Sequence, residues 1–353
     1  MKILIIQQKM IGDVLATSIL FEAIKQKYPD TELHYVINSY TYPVVKENPF
    51  IDQFHFLTPN QENNISYLYK FAKQLQKNHF DIIIDVYSKF SSNIISYISK
   101  VKAKISKYKW YTSFIYSHTY KDAKDSKTNA GLAIENRLQL LYPLGIGISS
   151  AIKPKIYLSE LEKINAKQFL ESKGISLNKS LFMLSVLGSG ANKTYPPKYM
   201  AKLIDTIVQQ QPKSQLLFNY FPEQQAEAKT IFELCKSKTK QHIFFDVFGN
   251  NLRDFLAIVT HCNALLGNEG GATNMAKALD VPTFTIFSPW IKKEAWNMFD
   301  DNKRYVSVHL KDYKPEFYFK KSEKELKSKS LKLYQKLTPE IFIPKLKQYL
   351  QQF

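Results

Sequence analysis

Asp13 is the first residue whose type and position suggest chemistry. It follows Gly12, shortly after an apolar run at residues 2–6, and an apolar pattern of helical spacing begins beside it and continues to Pro29. A carboxylate in the first turn of a helix is stabilised by free N–H groups and by the helix dipole. Asp13 is therefore either an ordinary N-cap or a general base at the mouth of a ligand site. In the second interpretation, Gly12 lets the backbone turn sharply or approach a ligand.

A glycine loop in the second half of the chain could hold a phosphate. Gly188 and Gly190 flank Ser189 after the apolar run at residues 181–187, and Lys193 follows three residues later. Backbone N–H groups and one ammonium can together bind a phosphate. The loop lacks the GK[ST] ending of a Walker loop. The alternative is an ordinary glycine turn with a surface lysine.

Two further stretches carry candidate ligand-binding residues. Glu223 follows a predicted strand end and a proline, where a carboxylate can bind ribose hydroxyls or simply stabilise the start of a helix. Residues 267–271 read Gly-Asn-Glu-Gly-Gly and lead from a strand into a helix that opens at Ala272 or Thr273. Tandem glycines let the backbone approach a ligand, and a helix N-terminus presents free N–H groups. This stretch therefore predicts a diphosphate site.

Alternating strand and helix patterns must position these residues. The predicted strands cover residues 2–6, 33–37, 54–57, 80–86, 103–108, 181–187, 216–219, 242–247, 264–266, 283–287 and 305–309. The pattern of the first half restarts in the second, each time with a strand and a glycine-bearing loop. It predicts an α/β protein with two doubly wound domains, residues 1–150 and 151–336, that face each other across a cleft, and a terminal helix within 337–353.

Two polar segments lack a regular apolar period. Residues 116–127 are rich in lysine, and we expect a mobile loop beside the cleft. Residues 320–336 are dominated by lysine, serine and glutamate, which predicts a solvated helix or a loose arm. Residues 150–159 carry a proline and little periodicity, which is typical of a linker between domains.

The net charge of +18 restricts the partners of the protein. Almost all of the positive charge is lysine, and arginine occurs only at positions 137, 253 and 304. Proteins that read nucleic acids favour arginine forks, and no nucleic-acid-binding signature is present, so no nucleic-acid partner is expected. A lysine-rich surface suits an anionic membrane leaflet or a phosphorylated lipid, although a biased coding composition would also enrich lysine.

Targeting signals and cysteines indicate a compartment. No apolar run approaches the length of a membrane span or of a signal-peptide core, so a soluble cytoplasmic protein is expected, with peripheral contact to the inner membrane. Cys235 and Cys262 lie in apolar helical contexts and are expected to be reduced core residues.

The opening stretch, the glycine loop at 188–193 and the stretch at 267–274 together resemble the heptosyltransferase-type glycosyltransferases, glycosyltransferase family 9. These enzymes build the inner core of lipopolysaccharide in Gram-negative bacteria. The resemblance covers most of residues 1–290, in the same order and spacing. It implies a GT-B fold and inverting transfer of heptose from ADP-heptose onto a lipopolysaccharide-core or related glycolipid acceptor. It also implies that no metal or cofactor is needed.

The resemblance carries roles onto matching residues of this sequence. Asp13 would be the general base that deprotonates the acceptor hydroxyl. The residues that would bind the donor are Lys193 at the diphosphate, Glu223 at the ribose, and Gly270, Gly271 and Thr273 in the loop whose backbone grips the phosphates.

Two positions depart from the family pattern. The family usually has aspartate where this chain has Glu269, and histidine where it has Asn274. A longer carboxylate shifts its reach by about one methylene, and asparagine carries neither a proton for transfer nor a positive charge. The donor could therefore be another nucleotide sugar, and the acceptor another surface glycolipid.

Two other classes of function stay open on the sequence. The first is a sugar-nucleotide epimerase or hydrolase on the same scaffold, which would form product without an added acceptor. The second is a non-catalytic nucleotide-sugar-binding or membrane-associated protein, which would bind the donor tightly without turnover.

Overall fold

A computed structural model describes residues 1–148 and 152–353 of the chain. Contacts divide the chain into two compact units. The first comprises Met1–Tyr157 together with Glu294–Met298, and the second comprises Leu158–Lys293 and Phe299–Phe353. The domain boundary that the sequence predicts between residues 150 and 151 lies outside the described residues.

The first unit is built on a six-stranded parallel sheet. Its strands are β1 (Lys2–Ile6), β2 (Glu32–Asn38), β3 (Gln53–Leu57), β4 (Ile82–Asp85), β5 (Ala103–Lys107) and β6 (His118–Tyr120), in the order β3-β2-β1-β4-β5-β6. Its helices are α1 (Ile11–Thr17), α2 (Ile19–Lys27), α3 (Ile65–Gln76), α4 (Phe90–Ile98) and α5 (Leu132–Leu138). The central strands are apolar along their length because helices cover both faces of a parallel sheet.

The second unit repeats this plan. Its strands are β7 (Leu181–Ser185), β8 (Gln215–Asn219), β9 (Ile243–Phe244), β10 (Ala264–Asn268), β11 (Thr283–Ile286) and β12 (Tyr305–Val308), in the order β12-β11-β10-β7-β8-β9. The helices after α5 are α6 (Glu160–Ser172), α7 (Pro197–Gln210), α8 (Gln225–Leu234), α9 (Ser237–Lys240), α10 (Leu252–Thr260), α11 (Gly271–Ala278), α12 (Lys293–Trp296), α13 (Leu310–Tyr313), α14 (Glu323–Ser328), α15 (Ser330–Tyr334) and α16 (Pro339–Leu350).

Both sheets have the doubly wound strand order 3-2-1-4-5-6 when the strands of each unit are counted from its own first strand. The prediction of an α/β protein with two Rossmann-like domains is therefore confirmed. In this topology the chain reverses its direction of winding between the first and fourth strands, and ligands bind outside the carboxyl ends of these strands. The relevant pairs are β1 and β4 in the first unit, and β7 and β10 in the second.

The second unit shows how the sequence produces these layers. Alternate residues of β7 point to opposite faces of the sheet. Phe182 and Leu184 join a cluster with residues of α7, α8, α15 and α16, whereas Leu181 and Met183 join a cluster with residues of α6, α10 and α11. Strand β7 thus contributes apolar side chains to the cores on both faces of the sheet. This packing holds the strand in place and so positions the loop that follows its carboxyl end.

The prediction of a mobile loop at residues 116–127 is wrong for its first part. Residues His118–Tyr120 form strand β6, which pairs with β5 through Ile105 and His118. A three-residue edge strand held by backbone pairing is too short to show an apolar period. Further along, the Glu135 carboxylate accepts hydrogen bonds from the backbone N–H groups of Lys127 and Thr128, which anchors the segment.

The lysine-rich segment at residues 320–336 is only half solvated. Helix α14 has no buried residue, which agrees with the predicted solvated helix. The loose arm is wrong for α15, because Leu333 and Tyr334 are buried in the larger core cluster of the second unit. Two adjacent core residues among lysines are too brief a signal for periodicity to detect. In the part of the chain that the structure describes, no helix is both long and apolar enough to cross a bilayer.

Candidate active site

Asp13 lies at the carboxyl end of β1, at the switch point of the first sheet. Helix α1 begins at Ile11, so Asp13 is the third helical residue, and its N-cap position is occupied by Met10. The interpretation of Asp13 as an ordinary N-cap is therefore wrong. The sharp turn before the helix is also not at Gly12, which is helical, but at Met10, whose φ is 65°.

An arginine from helix α5 binds the Asp13 carboxylate. Arg137 Nη2 donates a hydrogen bond to Asp13 Oδ1 at 2.6 Å, and the two side chains form an ion pair. The arginine side chain is 4% exposed and the aspartate side chain 28% exposed. The buried guanidinium thus holds the Asp13 carboxylate on the side that faces the protein interior. The other side of the carboxylate faces solvent, where a substrate hydroxyl could approach.

The guanidinium is fixed by two further hydrogen bonds. Its Nε donates to Thr17 Oγ1 at 2.9 Å, and its Nη1 donates to the Ala133 carbonyl at 2.6 Å. Such a fork loses little freedom when it binds a carboxylate. Arg137 therefore orients Asp13, and the sequence reading missed this role. The available signal was that one of only three arginines lies within a largely apolar helical pattern.

A second aspartate at this switch point serves a different purpose. Asp85, the last residue of β4, is fully buried. Its Oδ1 accepts the Ser88 N–H at 2.7 Å, and its Oδ2 accepts the Tyr116 hydroxyl at 2.6 Å. Burial raises the pKa of this carboxyl above its ordinary value. Because both oxygens hold structural hydrogen bonds, Asp85 is not available to a substrate, and Asp13 is the candidate base.

Three buried polar atoms near the carboxyl ends of β1, β2 and β4 have no hydrogen-bond partner among the described residues. They are Gln8 Nε2, Asn38 Nδ2 and Ser88 Oγ. Gln8 contacts the end of β2 and the start of α4, since its carbonyl accepts the Asn38 N–H at 2.8 Å and its Oε1 accepts the Ser91 hydroxyl at 2.5 Å. A buried polar group without a partner is costly. Each of these atoms would gain a hydrogen bond if a polar group reached it.

The role of Arg137 leads to a first prediction. We expect Arg137→Met to lower kcat by about 100-fold, because a carboxylate misplaced by about 1 Å loses rate on this scale. The KM for the sugar donor that the resemblance implies should stay near native, since the residues predicted to bind the donor belong to the second unit. Steady-state kinetics of Arg137→Met and Arg137→Lys test this. Lysine should restore part of kcat, and equal losses in kcat and donor affinity would contradict a positioning role.

In the second unit, the loop after β7 is shaped to carry Lys193. A Cβ on Gly188 would lie 2.2 Å from the Lys193 carbonyl oxygen, so only glycine permits this closure. Thr194 Oγ1 accepts the Gly188 N–H at 3.1 Å and donates to the Gly190 carbonyl at 3.0 Å. The loop therefore has a fixed shape, whereas phosphate binding by Lys193 stays a prediction. Ser189 lies exposed within this loop.

Lys193 and Glu269 form the charged centre of this unit. The Lys193 ammonium is 3.6 Å from Glu269 Oε1 and 5.8 Å from the centre of the Trp290 ring. Glu269 is almost entirely buried. Burial raises the pKa of the Glu269 carboxyl, and Lys193 partly opposes this shift. The pair therefore carries little net negative charge towards an anionic ligand.

Asn268 ties the two loops of the second switch point together. Its Nδ2 donates to the Ser185 carbonyl at 3.0 Å, and its Oδ1 accepts the Tyr195 N–H at 2.7 Å. The preceding Gly267 has a φ of 127°, and a Cβ there would lie 2.3 Å from the Ser185 carbonyl oxygen. Strands β7 and β10 thus approach so closely that the loops carrying Lys193 and Glu269 are held side by side.

The N-terminus of α11 is open beside these loops. The amides of Gly271, Ala272 and Thr273 precede the first hydrogen bond of the helix, which Asn274 N–H donates to the Gly270 carbonyl at 3.3 Å. The structure leaves open space where a Cβ of Gly270 would stand. The Thr273 hydroxyl donates to the Asn268 carbonyl, so Thr273 offers only its backbone N–H. An anion can reach several amides here.

Glu223 lies exposed in a short turn after β8, Pro222–Gln224. Gln224 Nε2 donates to the Gly188 carbonyl at 2.9 Å, which fastens this turn to the glycine loop. The second unit thus brings together the predicted donor residues of three strand ends. Asp13 and Arg137 belong to the first unit.

Residues 68–327 match the family described as "Glycosyltransferase family 9 (heptosyltransferase)". Lipopolysaccharide heptosyltransferase 1 of Campylobacter coli is 24% identical over 301 residues, which cover 81% of this chain and 84% of that protein.

Two solved structures resemble the whole chain. A glycosyl transferase family 9 protein from Veillonella parvula gives a TM-score of 0.83 at 18% identity, with coverage of 100% of this chain and 98% of that one. The E. coli ADP-heptose lps heptosyltransferase II gives a TM-score of 0.74 at 15% identity, with coverage of 100% and 99%. At these identities the structural likeness shows the fold, whereas the family match is a property of the sequence and covers parts of both units.

Proposed function

Because the chain belongs to glycosyltransferase family 9, we propose that it transfers heptose from ADP-heptose to a lipopolysaccharide-core or related glycolipid acceptor. The family match shows that the protein is a glycosyltransferase. The identities of its donor and of its acceptor are what we propose. The names of the similar Campylobacter coli and E. coli proteins, both heptosyltransferases, support this choice.

The single observation that carries the proposal is the pairing of Lys193 with the open N-terminus of α11. The ammonium lies beside Glu269, the residue just before the glycine pair that begins the helix. A nucleotide diphosphate bound here would meet one cation and several backbone N–H groups. These groups would stabilise the negative charge that grows on the leaving diphosphate, which is usually the largest contribution to catalysis.

Asp13 supplies the other half of the proposed reaction. The acceptor oxygen forms a bond to the anomeric carbon while the bond from that carbon to the diphosphate oxygen breaks. Asp13 takes the proton from the acceptor hydroxyl, and the nucleotide diphosphate leaves with the bonding electron pair. Attack from the face opposite the leaving group inverts the anomeric centre. Arg137 holds the carboxylate in place during this step.

We propose that transfer requires no metal ion and no cofactor. The positive charge that a divalent cation would supply to a diphosphate comes, in this proposal, from Lys193 and the amides of α11. A chelator separates the alternatives. Excess EDTA should leave the transfer rate unchanged, and a loss of activity that Mg²⁺ restores would contradict metal independence.

Glu269 and Asn274 support a second candidate for the donor. They occupy positions where the family usually has aspartate and histidine, and Glu269 is in contact with the proposed diphosphate lysine. A different nucleotide sugar, on the same catalytic groups, would fit a donor site altered at these two positions. The reaction type would be the same.

A ligand screen tests the donor. Thermal unfolding would be measured with ADP, UDP, GDP, CMP and their common sugars. We expect ADP and ADP-heptose to raise Tm, since a ligand at 100 times its Kd stabilises the folded state by about 2.7 kcal/mol. A shift with another nucleotide alone would replace the donor and leave the reaction type intact. No shift with any of them would contradict the assigned donor site.

We propose that the protein works at the cytoplasmic face of the inner membrane as a peripheral protein. A lipid-linked acceptor is presented at a membrane surface, and the chain carries a net charge of +18. An anionic leaflet attracts clusters of lysine.

A further inference from the structure

Four large aromatic side chains of the first unit are exposed to solvent. The exposed fractions are 66% for Phe90, 79% for Trp110, 53% for Tyr111 and 76% for Phe114. Phe90 begins helix α4, and the other three lie in the segment that follows β5. We call these four residues the aromatic surface.

Contacts between α4 and this segment make the aromatic surface continuous. The Lys109 ammonium donates to the Ser88 carbonyl, two residues before Phe90. The turn Ser113–Ile115 packs on α4, and the Tyr116 hydroxyl lies 2.7 Å from Asn93 Oδ1 of the same helix. The Trp110 and Tyr111 rings are 5.6 Å apart. Single exposed apolar residues are common on proteins, but a contiguous group of this size marks an interaction site.

Lysines border the aromatic surface. Within residues 86–121, which contain no aspartate or glutamate, Lys89 and Lys109 directly precede Phe90 and Trp110. Lys89 is exposed directly before Phe90, and the Lys121 ammonium lies 5.1 Å from the Tyr108 ring. The partner of this surface is therefore anionic, and it must also accept indole, phenol and phenyl rings.

We propose that the aromatic surface docks the protein on an anionic lipid bilayer. Tryptophan and tyrosine favour the region of the lipid headgroups, and lysine is attracted to anionic lipids. An acidic protein partner would also match this charge, and failure of the native protein to bind anionic vesicles would favour that partner. This inference rests on the proposed function in one respect, namely that the acceptor is linked to a lipid.

The position of the aromatic surface within the first unit agrees with this role. Phe90 and Trp110 follow the carboxyl ends of β4 and β5, and Asp13 follows the carboxyl end of β1. Neighbouring strands are about 4.8 Å apart, so β5 is about 10 Å from β1. Docking through this edge of the sheet would hold the candidate base close to the headgroup region.

The lysine-rich segment at residues 320–336 is the competing surface. Its exposed helix α14 carries Glu323 and Glu325 among its lysines, and in α15 Leu333 and Tyr334 are buried whereas Leu331 is exposed. Its charge is therefore mixed, and it presents no exposed aromatic ring to a bilayer. Phe319, which is 76% exposed just before this segment, provides a control position.

Vesicle sedimentation tests the inference. The full-length protein would be mixed with vesicles of phosphatidylethanolamine and phosphatidylglycerol, or of phosphatidylcholine alone. We expect binding to the anionic vesicles, and at least tenfold weaker binding for Trp110→Ser/Phe114→Ser. The matched control, Tyr69→Ser/Phe319→Ser, removes two exposed rings elsewhere and should bind as the native protein does.

Several outcomes would overturn the inference. These are no binding of the native protein, equal binding to both kinds of vesicle, or equal loss in the control variant. An activity assay with a lipid-free core oligosaccharide separates this result from the proposed function. Trp110→Ser/Phe114→Ser should retain the native kcat on that acceptor and lose activity on the membrane-bound one. Absence of transfer by the native protein on either acceptor would contradict the proposed function and leave the vesicle result standing.

Discussion

In the Asp13→Asn variant, we expect kcat for glycosyl transfer to fall by about 10²–10⁴-fold, the usual contribution of a general base. Asparagine keeps the shape of the side chain and can still accept the hydrogen bond from Arg137 Nη2. It cannot take the proton of the acceptor hydroxyl at neutral pH. The measurement is single-turnover transfer with saturating donor and acceptor.

Binding measurements show whether this loss is chemical. The Kd of Asp13→Asn for the proposed nucleotide-sugar donor, by calorimetry, should stay within about twofold of native, because the residues proposed to bind the donor are in the second unit. Asp30→Asn, an exposed aspartate after α2, is the matched control and should retain native activity. Near-native turnover by Asp13→Asn would exclude it as the base, and lost donor binding would point to a structural defect.

Lys193→Met is expected to have the second largest effect, a fall in kcat/KM of about 10²–10³-fold, the loss typical for removing one group that stabilises transition-state charge. Methionine keeps most of the aliphatic stem, which lies near the Trp290 ring, but removes the ammonium. Both donor affinity and the chemical step should weaken, since a diphosphate carries charge in both states and gains more as it leaves. Steady-state and binding measurements against Lys198→Met, an exposed lysine on α7, test this.

The contact with Glu269 requires a second variant. Removing Lys193 leaves a buried carboxylate without its cation, which destabilises a protein by itself. Lys193→Met/Glu269→Gln removes both charges. We expect the double variant to regain Tm relative to Lys193→Met but to keep the low kcat/KM. Recovery of activity together with Tm would mean that Lys193 acts through the fold and not on the donor.

Local sequence signals were sufficient for the fold class. Apolar runs bounded by polar loops predicted the central strands, because a parallel strand covered by helices on both faces is largely apolar. The partly polar stretches that form β3 and β5 were also predicted as strands, and only β6 was missed. Strand β9 is shorter than the sequence predicts, because only Ile243 and Phe244 pair with β8. Strand β6 was missed because its three residues, His118–Tyr120, are too few to show an apolar period.

The individual site residues were predictable for a related reason. A side chain at Gly188 would clash with the Lys193 carbonyl, and one at Gly267 would clash with the Ser185 carbonyl, so both positions require glycine. Each of these glycines is visible in the sequence because it follows an apolar run. Asp13 and Lys193 stand out because each follows a strand end. The role of Asp13 as general base and the roles of Lys193 and Glu223 in donor binding stay predictions.

The amino-acid sequence by itself determined two doubly wound units and the residue types that follow their strand ends, because these depend on apolar period and on glycine placement. Only the tertiary structure decided which of the two aspartates, Asp13 or Asp85, is available to a substrate. Arg137 reaches Asp13 from 124 residues away, whereas Asp85 is occupied by Ser88 and Tyr116. It also decided that α15 packs in the core and that the aromatic surface does not. Burial and pairing between distant segments are properties of the packed chain, and no local window of sequence contains them.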